Sequence, residues 1–255
     1  MLDTELWSIL LPAFAAGLLV LSTHVVLGQQ VLKRGIIFID LAIAQIAALG
    51  AIVAHIHHDI EAIAYSNFWM PAIFALAGAG VISWLAKHFE SELEAFIGCF
   101  YVLSAVAAML MLANDPHGGE LLTQLMSGQI LWVSWSQLAF PALIYAMLLA
   151  LLMWRSHVLN GSLFYFVFAI VITLSVELVG VYLVFSTLIL PALALNQYKG
   201  RGQLAWAYLV GIIGYCSGLM LSASFDLPSG AAIVATLAVT ALLCRIIVSK
   251  QDKSI

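Results

Sequence analysis

SLFYFVFAIVITLSVELVGVYLVFSTLILPALALN (residues 162–196) is apolar apart from Glu177, the closing Asn196 and a few hydroxyl side chains. It lies between Arg155 and Lys199. Cations mark the cytoplasmic side of short membrane loops, so a segment flanked by them at both ends has to go out and come back. With about 1.5 Å of rise per residue and a hydrocarbon core of about 30 Å, it is too short for two full crossings. The reading is two short or partly broken helices that meet near Glu177-Leu178-Val179-Gly180. Backbone broken at such depth is tolerated only where it is buried in protein or lines a cavity.

The rest of the chain has the same character. It has 255 residues, of which 64% are hydrophobic and 9% charged, with a mean hydropathy of +1.09. Soluble domains carry about 25% charged residues. Further apolar runs lie near 6–27, 35–56, 68–86, 95–113, 133–154, 204–224 and 230–248, each close to the ~20 residues that cross a bilayer as a helix. The expectation is an all-α polytopic membrane protein with eight or nine transmembrane helices, some short or broken, in a single transmembrane domain over 1–255. The segment LLTQLMSGQILWVSW (121–135) is read as interfacial or re-entrant, because Gly128 and Gln129 suit lipid poorly. A net charge of −4 leaves no footprint for nucleic acid. Cys99, Cys216 and Cys244 sit in separate apolar runs and read as buried thiols, not a disulfide scaffold. The opening MLDTELWSILLPAF lacks the basic start of a signal peptide, so its apolar run is expected to be kept as a span.

The cations orient these runs. Lys33/Arg34, Lys87, Arg155, Lys199/Arg201 and Arg245/Lys250/Lys253 account for all nine, and the loops at 55–67, 114–120 and 224–230 contain none. The N-terminus is therefore expected outside and the C-terminus in the cytoplasm. Trp69, Trp132, Trp135 and Trp154 fit an interfacial aromatic belt. No GxxxxGK[ST], HExxH or GxSxG pattern occurs, so the chain carries no recognisable engine for ATP hydrolysis or proteolysis.

Polar groups inside apolar runs are where chemistry is sought, since a charge at the bilayer centre costs roughly 2.5 kcal/mol or more. In VLKRGIIFIDLAIAQIAALGAIVA (31–54), Asp40 stands six residues after Arg34, about 9 Å along a continuous helix. His24 precedes Lys33 by nine residues. Antiparallel helices turning near Gln30–Lys33 would bring His24 and Asp40 to similar depth. An imidazole facing a carboxylate suits a divalent cation such as zinc, and suits equally a hydrogen-bonded pair that only ties two helices. Glu177 is a third candidate or a wetted helix end. His55, His57 and His58, beside Asp59 and Glu61, suit metal capture or a solvated loop. His117 reads as a turn residue beside Pro116, and Asp226 as the cap of the last helix, with Pro228 near its start.

Four stretches, in this order, resemble the membrane permeases of bacterial ABC importers for zinc, manganese and related divalent metals. They are the basic pair with Asp40 and Gly50, ELLTQLMSGQILWVSW (120–135), ELVGVYLVFSTLILPALAL (177–195) and DLPSGAAIV (226–234). The resemblance covers nearly the whole chain. It implies a type II ABC importer-like permease of the bacterial inner membrane that moves a divalent metal, zinc foremost, into the cytoplasm, with no permanently bound cofactor. It also implies an ATP-binding subunit on the cytoplasmic side, a periplasmic metal-binding protein and a homodimer. The chain departs from the family in two places. The family's second span presents Asp and His at i and i+4, whereas Ala44 follows Asp40 at that spacing and Gln45 stands at i+5, roughly 140° away. Aligned backward from Gly50, Gln45 takes the histidine's place as a weaker carbonyl ligand. The loop WRSHVLNGSLFYF (154–166) is also far shorter than the family's coupling segment, and KHFESELEAF (87–96) is a second candidate for contact with the ATPase. Two rival classes remain: a proton-coupled secondary transporter using Asp40 and Glu177 as relays, and a non-transporting membrane subunit.

The orientation is directly testable by single-cysteine labelling in a Cys-less background. Cysteines placed in 57–67, 114–120 and 225–229 should react with an impermeant reagent added to intact spheroplasts. A cysteine at position 199 should not, and its labelling would reverse the topology.

Overall fold

The structure is a computed structural model that describes residues 4–57, 66–128, 130–154, 161–198, 200 and 202–252. His58, Asp59, Glu61, Gln129, Arg155, Lys199, Arg201 and Lys253 lie outside the described residues. Among the described residues the chain is all-helical. Its α-helices are α1 (Thr4–Arg34), α2 (Ile39–Ile56), α3 (Ser66–His88), α4 (Leu93–Met111), α5 (Gly118–Ser127), α6 (Trp135–Trp154), α7 (Leu163–Val179), α8 (Val181–Ala194), α9 (Gln203–Phe225) and α10 (Ser229–Asp252). Single 3-10 turns lie at Glu90–Glu92 and Ile130–Trp132. Seven of the helices are long and apolar enough to cross a membrane, and α7 and α8 are shorter.

The expected break in 162–196 falls at Gly180, which has φ +81° and joins α7 directly to α8. At 17 and 14 residues, the two helices rise about 25 and 21 Å, each short of the ~30 Å core. The 121–135 segment is also interrupted. Its helix α5 ends at Ser127 and Gly128 takes φ +67°. These two breaks meet: a Cβ on Gly128 would run into the Val179 carbonyl, and a Cβ on Gly180 into the Gly128 amide. Only glycine combines the positive φ with backbone-to-backbone contact.

The chain divides into two compact units, 1–34 with 127–149 and 178–255, and 35–126 with 150–177. In the first, α1 packs on α8 and α9, and α9 on α10. Hydrocarbon supplies no hydrophobic drive between helices, so small residues that let backbones approach do the packing. Gly28 on α1 faces the Leu188 carbonyl of α8, Gly17 the Tyr215 ring of α9, and Gly218 on α9 the Cα of Ile233 on α10. Polar bonds tie the same contacts: Thr187 Oγ1 and Tyr215 Oη lie 2.7 Å apart, Tyr208 Oη donates to the Ser22 carbonyl at 2.6 Å, and Thr236 Oγ1 to the Gly214 carbonyl at 2.7 Å.

In the second unit α2 is the central helix, packed on α3 and α4. Gly50 abuts the Met70 carbonyl and Gly78 the Ile46 side chain. Leu121, Leu122 and Leu125 of α5 cover a cluster of Ile52, Ala108 and Leu112.

Two expectations change. Asp226 does not cap the last helix: it closes α9 in the left-handed conformation at φ +53°, which Asp tolerates better than most residues. Ser222 secures that turn, its carbonyl accepting the Leu227 N–H at 3.2 Å and its Oγ donating to the Leu227 carbonyl at 2.7 Å. The three cysteines are free thiols, and Cys99 and Cys216 are exposed on helix faces, not buried in helix contacts.

The glycine contact can be tested by melting the purified chain in detergent. Gly180→Ala places a side chain in a left-handed conformation, at about 1–2 kcal/mol, and adds a clash with backbone. A fall in Tm of at least about 5 °C is expected. Gly98→Ala, with open space around its Cα, should leave Tm unchanged or raise it. Equal melting of Gly180→Ala and the parent would show the break to be tolerant.

Candidate functional site

His24 lies in α1, fully buried. Its Nδ1 is 2.9 Å from the Val20 carbonyl, one turn back on the same helix. A carbonyl can only accept, so Nδ1 carries the proton and donates it. In the neutral ring this leaves Nε2 as a bare lone pair, and Nε2 is buried without a hydrogen-bond partner. Metal-ligating histidines are commonly fixed this way, with the other ring nitrogen donating to a backbone carbonyl. Thr23 Oγ1 stands 3.3 Å from Nδ1 and packs against the same face.

Asp40 occupies the first turn of α2 and is 1% exposed. Neither of its carboxyl oxygens has a hydrogen-bond partner. A helix start favours a carboxylate through its dipole, but unpaired burial remains costly. The adjoining group is Glu94 of α4: its Oε1 accepts the Phe38 N–H at 3.1 Å, and its Oε2 is buried without a partner. Three carboxyl oxygens with unused acceptor capacity thus gather at the start of α2. Sequence reading missed Glu94, whose only signal was a carboxylate next to the apolar run at 95–113.

The turn expected near Gln30–Lys33 falls later, because α1 runs on to Arg34. Gly35 turns the chain at φ +68° and α2 starts at Ile39. His24 lies ten residues from the end of α1, about 15 Å along that helix, whereas Asp40 is one residue into its own. The two residues fall in different units.

Gln45 is nearly buried on α2, where its Nε2 is 3.1 Å from the Met126 sulfur. Glu177 is the one exposed position between Val171 and Val181, one turn before the break at Gly180. His55, in the last turn of α2, places Nε2 3.6 Å from Asp115 Oδ2. Asp115 Oδ1 accepts the His117 N–H at 2.8 Å, which makes His117 the turn residue expected of it. His57 follows α2 and is exposed, and its N–H bonds the Val53 carbonyl at 3.3 Å. Asp115 escaped the sequence reading because it is far from His55 along the chain. Among the described residues, no three His, Cys, Asp or Glu side chains form a ready-made metal cluster. The available chemistry is therefore sparse: one imidazole lone pair, one buried carboxyl pair and a half-exposed His–Asp pair.

By fold, the chain is similar to a chain of PsaBC from Streptococcus pneumoniae, solved in complex with a Fab, with TM-score 0.70, 18% identity and coverage of 95% of this chain and 91% of that one. A solved transporter described as metal-chelate type, in an inward-facing conformation, gives TM-score 0.67 at 17% identity, covering 98% and 90%. An uncharacterized membrane protein of Synechocystis sp. (strain ATCC 27184 / PCC 6803 / Kazusa), slr2045, is 26% identical over 253 residues, 91% of this chain and 88% of that protein. The model of the ABC 3 transport family matches residues 7–249, nearly the whole length. The chain belongs to the ABC 3 transport family.

Proposed function

We propose that this chain is the membrane permease of an ABC importer that carries a divalent metal ion, zinc foremost, into the cytoplasm. It would work as a homodimer, with a separate ATP-binding subunit inside and a metal-binding protein delivering cargo outside. The observation that carries the reading is a pair of partnerless buried donors, His24 Nε2 and the Asp40 carboxyl, in a multi-pass chain of a transport family. Buried polar groups are almost always paired. Donors held open in hydrocarbon suit a passing cation that completes their coordination only while it is there. His24 in one unit, and Asp40 with Glu94 in the other, each serve as cargo ligands in this reading. Sparse coordination suits cargo that must leave again. Imidazole favours zinc over manganese, which prefers oxygen donors. Glu177 and the outer His55, His57 and His58 are assigned to the entrance.

A second reading, cargo held in a chelate, is favoured by the fold neighbour described as metal-chelate type. Uptake assays with free and chelated zinc separate the two.

In proteoliposomes containing the chain with its ATPase, Asp40→Asn and His24→Ala should each cut zinc uptake by at least about tenfold, while the complex stays folded and assembled. Gln45→Ala should cost no more than about twofold, because its amide is only a weak ligand. Normal transport by Asp40→Asn would make that carboxyl structural and move the site to His55, His57 and His58.

Uptake should also stop when the ATP-binding subunit is omitted. Transport by the chain alone, driven by a proton gradient, would replace this reading with the proton-coupled carrier.

A further inference from the structure

On α1 a histidine stands amid the helix's packing contacts. Gly17, Leu21, His24 and Gly28 fall within about 60° of one another at 100° per residue, on one side of the helix. In the first unit that side meets α8 and α9. Gly17 faces the Tyr215 ring and Leu21 packs on Gly211, both of α9, while Gly28 faces the Leu188 carbonyl of α8. His24, between Leu21 and Gly28, is carried into the same seam. There Thr187, the neighbour of Leu188, is bonded to Tyr215, and both side chains are fully buried.

The hydrogens in this seam can be counted. Thr187 has one, and its Oγ1 lies 2.7 Å from the Leu183 carbonyl, which can only accept. That hydrogen is spent, so in the 2.7 Å contact between Thr187 Oγ1 and Tyr215 Oη the phenol is the donor. Tyr215 Oη then keeps lone pairs and has no hydrogen left to give. His24 is in the same condition. Its Nδ1 donates to the Val20 carbonyl, and Nε2 is a lone pair buried without a partner. A phenol O–H is a natural partner for such a nitrogen, but Thr187 holds that hydrogen instead.

We propose that Tyr215 Oη is a second cargo ligand beside His24 Nε2, and that Thr187 is the positioning residue that keeps both open. The inference rests on the reading of His24 as a cargo ligand. Buried acceptors with no hydrogen left between them are satisfied by a cation or by water. A divalent metal such as zinc takes imidazole nitrogen and oxygen together. Gly17 and Gly28 let the neighbouring helices come close enough to present both groups. A Cβ at either position would strike the Tyr215 ring or the Leu188 carbonyl.

The test is equilibrium binding of radioactive zinc to the purified transporter, the full chain with its ATP-binding subunit, measured as the portion that His24→Ala abolishes. Tyr215→Phe keeps the ring against Gly17 and removes only the hydroxyl, and should weaken that portion roughly tenfold. Thr187→Val, close in shape, frees the phenol hydrogen to fill Nε2 and should weaken it by a similar factor. Tyr208→Phe is the packing control. It also removes a phenol bond between α9 and α1, the 2.6 Å bond to the Ser22 carbonyl, and should leave zinc binding unchanged. Unaltered affinity in Tyr215→Phe would mean that the seam holds water. An equal loss in Tyr208→Phe would mean that the effect is one of helix packing. Either result overturns the proposal while the assignment of His24 stands. Zinc binding indifferent to His24→Ala would remove that assignment, and this proposal with it.

Discussion

Everything in this structure leans on one contact, where the backbone at Gly128 meets the backbone at Val179–Gly180. A chain in hydrocarbon cannot leave peptide groups open to lipid, yet two segments here abandon their helices. Each break is packed against the other. The contact also has a place in the wider chain. The path passes between the two compact units at Met126–Ser127 and again at Glu177–Leu178, just ahead of the two glycines. Glycine alone permits both the dihedral and the approach.

That arrangement sets the terms for the site. Long helices such as α1 carry His24 deep in an apolar surrounding, where its Nδ1 is fixed by the Val20 carbonyl and Nε2 is left open. The turn at Gly35–Phe38 brings Asp40 to the start of α2, beside Glu94. Neither place resembles a structural zinc site, which takes four closed ligands. Under the proposed function, unfilled donors suit cargo that must be bound weakly and released.

Legibility followed the range of the interaction. The break at Gly180 could be read because it rests on length and on flanking cations, both local in the sequence. The Gly128 interruption was visible on another local ground, that Gly128 and Gln129 suit lipid poorly. The start of α2 was misplaced because hydropathy is blind to backbone angle: Gly35 and three apolar residues form a turn inside what reads as an unbroken run. Asp226 was assigned to the wrong helix because Asp before Pro and Ser reads as an N-cap, while the bonds that close α9 run between Ser222 and Leu227, five residues apart. Glu94 and Asp115 were invisible as site residues because their partners, Phe38 and His55, come from distant parts of the chain. The sequence supplies these carboxylates, but only the packing of α2 against α4 and the turn after α4 gives them neighbours.

The central claim is that the partnerless buried donors receive a metal ion. X-ray absorption at the zinc edge, on the zinc-loaded transporter, tests it most directly. The account predicts a mixed nitrogen and oxygen shell whose imidazole scattering disappears in His24→Ala and persists in His55→Ala. An imidazole signal that survives His24→Ala and vanishes in His55→Ala would contradict it.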